Sequence, residues 1–109
     1  GDGGGSDAYK GYINYNHANE KLDIVGSGDI TLDAAGDIIL DAGGNEIKLK
    51  TGGTEWGQIY NSSSNLAIFS SVSDKDLIFQ GNDGGSIITA LSLDMSDAGT
   101  ATFNHDLKL

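Results

Sequence analysis

The chain has 109 residues, with sixteen Asp or Glu against six Lys or Arg, and its formal charge of -10 disfavours nucleic acid and anionic membrane surfaces as partners. Cysteine is absent, which excludes disulfides, thiol catalysis and cysteine-held metal, and no run of ~18 apolar residues is present to span a membrane. Only 38% of residues are hydrophobic and 7% aromatic while seventeen are Gly, which is thin material for a self-contained core.

Residues 1–7 are Gly-rich, and a start at Gly1 with an end at Leu107-Lys108-Leu109, which reads as part of a strand, is expected of a piece of a longer protein. Residues 9–16 alternate as a strand does, with Tyr12 and Asn14 on one side and Ile13 and Tyr15 on the other. Asn16-His17-Ala18-Asn19 reads as a turn, making this segment a hairpin or the first layer of a prism.

Residues 20–51 repeat an eight-residue phrase four times. Its third copy is Gly36-Asp37-Ile38-Ile39-Leu40-Asp41-Ala42-Gly43, and one extra residue separates that copy from the fourth, at Gly43-Gly44. Each phrase carries two aliphatic residues two apart: Leu22/Ile24, Ile30/Leu32, Ile38/Leu40 and Ile47/Leu49. That is the strand period, and Gly marks most junctions. An octad holds one strand of roughly four or five residues and a corner, enough for one side of a prism but not for a full coil. Burying two aliphatics contributes roughly 1.5 to 3 kcal/mol each, while ordering eight backbones costs about 1 to 2 kcal/mol per residue, so neighbouring copies must help. Three chains wound together would each supply one face per layer, with the aliphatic pairs toward a shared axis. The alternative is a meander of short strands within one chain.

After Gly52-Gly53 the phrases lengthen and aromatics appear, so the boundary is placed there. Residues 57–60 and 66–69 read as strands flanking a polar loop at 61–65; residues 77–80 are a third strand, with a turn cluster at 81–85 after it. Residues 86–95 form the longest extended run, expected to set Ile87, Thr89, Leu91, Leu93 and Met95 on one side. Ser96-Asp97-Ala98-Gly99 turns the chain into Thr100-Ala101-Thr102-Phe103, and Asn104-His105-Asp106 turns it again. No stretch repeats apolar residues at helical spacing.

Gly28-Asp29-Ile30-Thr31-Leu32-Asp33, Gly52-Gly53-Thr54-Glu55-Trp56-Gly57, Val72-Ser73-Asp74-Lys75-Asp76-Leu77-Ile78-Phe79 and Ala98-Gly99-Thr100-Ala101-Thr102-Phe103 resemble tail-fibre and related structural proteins of marine tailed bacteriophages, cyanophages included. The likeness covers residues 12–109. The octads also resemble the trimeric β-helical needle of contractile-tail spikes, a pattern from which the chain departs after Gly53. The resemblance implies a trimeric, elongated virion component of the host-attachment apparatus.

Chemical motifs are weak by comparison. Asp29, Asp33, Asp37 and Asp41 recur every four residues, yet calcium-binding repeats need Gly-Gly-x-Gly-x-Asp at a nine-residue step, so these read as solvated Asp. Asn82-Asp83-Gly84 lacks the alternating ligands of an EF-hand loop and reads as a turn. His17 and His105 read as surface residues, the alternative being an axial metal held by three symmetry copies. Ser62-Ser63-Ser64 and Ser70-Ser71 lack the surroundings of a nucleophile. Trp56 and Tyr60 either stack on a sugar or, in the favoured reading, Trp56 plugs the point where the architecture changes.

The chain is therefore expected to be all-β: an N-terminal segment and first strand (1–19), an elongated, intertwined homotrimeric β-helix or β-prism shaft (20–53) and a β-rich continuation of hairpins or meander (54–109). The trimer core is expected to be Leu22, Ile24, Ile30, Leu32, Ile38, Leu40, Ile47 and Leu49. The expected role is a non-enzymatic structural segment of a virion tail fibre, without cofactor, catalytic or metal residues. Its expected partners are two further copies and neighbouring fibre segments, with no nucleic acid and no membrane insertion. A glycan-binding receptor-recognition module, engaging host surface glycan, is the alternative.

Overall fold

The computed structural model describes residues 11–109. The expectations for residues 1–7, and for Tyr9 and Lys10 in the first strand, lie outside them. Strands occupy about half of the described residues and form three small antiparallel sheets, none of them closed. The chain is all-β. It divides into two compact units, one ending at Ile39 and the other Leu40–Leu109.

The first unit holds a hairpin of β1 (Tyr12–Asn16) and β2 (Lys21–Val25). Short amides shape its turn: Asn16 Oδ1 accepts from the Ala18 N–H at 2.9 Å and Asn19 Oδ1 from the Lys21 N–H at 3.2 Å, while Glu20 takes φ 55°. Register sets Ile13 opposite Ile24 and Tyr15 opposite Leu22, so these four share one face. Asn14, Lys21 and Asp23 share the other, where Lys21 Nζ lies 2.9 Å from Asp23 Oδ1. The first octad thus takes its strand partner from within the chain.

From Gly26 to Asp41 the chain forms no strand, and none of its main-chain groups bonds to another described residue. It bends at Ser27-Gly28 and Ala35-Gly36 and turns at Gly43-Gly44, eight residues apart each time. These are the octad junctions.

In the second unit, β3 (Glu46–Thr51), β4 (Thr54–Ser62) and β5 (Asn65–Ser70) form a three-stranded meander. Gly52-Gly53, read from sequence as the boundary, is the two-residue turn of the β3–β4 hairpin, with φ 57° and 84°. Both values are positive, as the twist of a tight hairpin requires. The fourth octad therefore pairs with the residues directly after it. Between β4 and β5 the expected five-residue loop shrinks to Ser63-Ser64, at φ 49° and 72°, because Asn61 Oδ1 accepts from the Ser64 N–H at 2.7 Å and holds the left-handed pair. Pairing skips Trp56, since Leu49 faces Gly57 and Lys50 faces Glu55. Trp56 is a bulge residue.

The third sheet is another meander, of β6 (Leu77–Asp83), β7 (Ser86–Asp94) and β8 (Thr100–Phe103). Gly84-Gly85 makes the first turn at φ 58° and 103°, fastened by Asn82 Oδ1, which accepts from the Gly85 N–H at 2.7 Å. Asp94 closes β7 and caps a 3-10 turn, Met95–Asp97, its carboxylate accepting from the Ser96 N–H at 3.0 Å and the Ser96 hydroxyl at 2.6 Å.

Simple alternation fails along β7. Phe79 pairs with Leu91 but Gln80 with Thr89, leaving Ala90 as a bulge that reverses the parity of the strand. Ile87 and Thr89 therefore do not share a side with Leu91 and Leu93, contrary to the sequence expectation. Instead Leu77, Phe79, Ile88, Leu91, Leu93 and Phe103 share one face. Gln80, Thr89, Ser92 and Thr102 occupy the other together with exposed Ile78 and Ile87, and there Gln80 Nε2 donates to Thr89 Oγ1 at 3.1 Å.

The second and third sheets do not stack on each other. No side chain among the described residues, apolar or polar, is buried, and Gly57 is the one buried residue among them.

Candidate functional site

The residues with the most unmet chemistry are the apolar ones. Leu22, Ile24, Ile30, Leu32, Ile38 and Leu40 are each 52–63% exposed, whereas Ile47 and Leu49 are half-buried. The structure sets Leu22 and Ile24 beside Ile13 and Tyr15 on one hairpin face. Ile47 and Leu49 join Ile59 and Ile68 on one face of the second sheet. Ile30, Leu32, Ile38 and Leu40 stand on the stretch without strand pairing, so both their side chains and the main chain beside them are unpartnered. A main-chain group needs a hydrogen bond when it leaves water, and an aliphatic side chain gains by leaving it. An added strand meets both demands together.

The junction glycines point the same way. A Cβ added at Gly28, Gly36 or Gly43 would meet nothing within 4 Å, and none of the three has a positive φ. Within one chain these positions have no need of glycine. Gly57 differs, because a Cβ there would lie 3.3 Å from the Phe69 carbonyl oxygen.

Trp56 is on the apolar face of the second sheet, its Nε1 donating to Thr51 Oγ1 at 2.9 Å. It is 49% exposed, so no core of this chain is plugged by it. With Leu49, Ile68, Leu77 and Ile78 it borders an open cleft of about 260 Å³. Register sets Tyr60 on the opposite face, edge-on to Phe69 with ring centroids 6.2 Å apart. The two aromatics cannot clasp one sugar between them. Sequence alternation alone would have paired Trp56 with Gln58 and Tyr60, and only the bulge separates them.

The remaining polar candidates are local. His17 stands edge-on to Tyr15 at 4.8 Å, and exposed His105 has Nδ1 3.0 Å from Asp106 Oδ2. Among the described residues no group of three or more His, Asp or Glu is placed to hold a metal ion. Ser63 and Ser64 form a turn, and the Ser70 hydroxyl donates to the Lys75 carbonyl at 3.0 Å. Ser71 Oγ is enclosed without a partner, while its N–H donates to the Trp56 carbonyl at 3.3 Å. The Ser96 hydroxyl holds the Asp94 carboxyl below the usual range against an opposing effect of burial, helped by the N–H groups of Ser96 and Asp97 and by Asp76. These contacts fix the turn after β7 and assemble no reactive pair. No family model, curated protein or solved structure matches the chain.

Proposed function

We propose that this chain is a non-enzymatic structural segment of a virion tail fibre, in which three copies wind residues 28–43 into a shaft. Ile30, Leu32, Ile38 and Leu40 would line the common axis, and the apolar faces that hold Leu22 and Ile24, and Ile47 and Leu49, would continue it at either end. One observation carries this reading: bends recur every eight residues along a stretch whose aliphatic pairs and main-chain groups are both unpartnered. Strands from two other copies would bond those N–H and C=O groups, cover the aliphatics and pass close to Gly28 and Gly36, giving glycine a reason there. The high acidic charge then serves solubility and discourages lateral association between shafts. The assignment to a virion fibre rests on the resemblance of the octads and of the phrases around Trp56, Asp74 and Thr100 to phage structural proteins.

Light scattering on the purified chain, joined to hydrogen exchange, tests the proposal. The expected mass is three times that of one chain, with amides of residues 29–41 protected. A species of one chain's mass, 11.3 kDa, with those amides exchanging as in a free peptide, would contradict it.

A further inference from the structure

We infer that the apolar faces of the second and third sheets are also covered by copies of this chain, so that self-association continues past the octads as far as Phe103. The inference rests on the shaft reading and extends it to residues 54–103. An amphipathic sheet must bury its apolar face against a second layer, and these two sheets do not provide one for each other. Trp56, Ile68, Phe79 and Phe103 are left 40–56% exposed.

Charge identifies the occupant. A copy carrying -10 repels another copy except through surfaces that hold no charge. On the second sheet Glu46, Lys48, Lys50 and Glu55 all fall on the polar face, while Ile47, Leu49, Trp56, Ile59 and Ile68 share a face without charge. On the third, the bulge at Ala90 gathers Ile88 with Leu91 and Leu93, where unbroken alternation would have put it on the opposite face, and the one charged strand residue on that side is Asp83 at the turn end of β6. The second sheet therefore presents a neutral patch, and the third a patch whose charge is confined to Asp83 beside the Gly84-Gly85 turn, so the same patches on another copy can meet with little opposing charge.

Area agrees. The chain exposes 9228 Å², where a globular monomer of 11.3 kDa exposes about 5,700 Å². The ten undescribed residues account for at most ~1,300 Å² of the difference at unfolded-chain values. The remaining ~2,200 Å², shared between the octads and the two sheets, matches two contacts of about 800 Å² a side that run along both regions. Two is the number that each subunit makes in a closed three-membered ring.

Trp56, the sole Trp, is a built-in reporter. In the assembled full-length chain its emission should be blue-shifted from that of the denatured chain, and acrylamide quenching should fall several-fold. Leu91→Asp, at the centre of the third sheet's apolar face, and Ile59→Asp, on the second's, should each raise the concentration for half-assembly at least about a hundredfold. Thr102→Asp on the polar face should leave it unchanged. Circular dichroism of each variant at high concentration should retain the strand signal, separating lost association from lost folding. A wild-type assembly whose Trp56 is quenched as readily as in denatured chain overturns the inference and leaves the shaft reading standing. So does a Leu91→Asp chain that retains its strand signal and assembles as well as Thr102→Asp. A wild-type chain found only as single copies overturns both.

Discussion

Residues 28–43 and the two C-terminal meanders are built from the same materials, Gly, Asp and paired aliphatics, yet only the meanders satisfy their own backbone. Gly52-Gly53 and Gly84-Gly85 reverse the chain within two residues, and each strand finds its partner next door. At the octad junctions Gly28 and Gly36 take no positive φ, so the chain bends without folding back. Hairpin glycines close a local contact, whereas corner glycines keep the chain running forward. Strand formation is therefore local in one region and absent from the other, where we propose that further copies supply it.

The largest effect should come from breaking the region without local pairing. Ile38→Asp would place three carboxylates together at the proposed axis without partners, and assembly measured by light scattering should be lost altogether. The meanders, paired locally, should keep their strand signal in that variant, and joint loss of both would erase the contrast. An intermediate effect is expected at a hairpin turn. Gly53→Val forces a β-branched residue to φ 84° and should cost about 1 to 3 kcal/mol in chemical denaturation, whereas Gly36→Val should leave the isolated chain's turns untouched and act only on assembly. The smallest effect concerns Asp94. Because its folded carboxyl titrates lower than it would unfolded, its contribution is complete above the ordinary carboxylate pKa of about 3.9 and fades as pH falls through the folded value. The Ser96 amide, followed by NMR, should report that titration, and Asp94→Asn should abolish it.

Much of the second unit was legible because turn residues carry their mechanism in their names. Asn82 and Gly84-Gly85 marked one hairpin, and Leu66 to Phe69 one strand. The turn at Ser63-Ser64 was hidden, since serine rarely adopts positive φ and only the Asn61 side chain stabilises it here. Both bulges were equally hidden. Neither Trp56 nor Ala90 differs in type from an ordinary strand residue, and a one-residue offset is set by pairing with the neighbouring strand. Reading β7 as unbroken alternation consequently placed Ile87 and Thr89 on the wrong face.

The strand periods and turn signals along the whole chain determined the all-β class, because both are properties of neighbours in sequence. The eight-residue repeat determined the spacing of the bends and the positions of the aliphatic pairs, although its second and third copies form no strand. Which face each pair shares was decided only in three dimensions. A sheet face is defined by register, and register belongs to two strands at once, so the separation of Trp56 from Tyr60 and the gathering of Ile88 with Leu91 exist only once the strands have met.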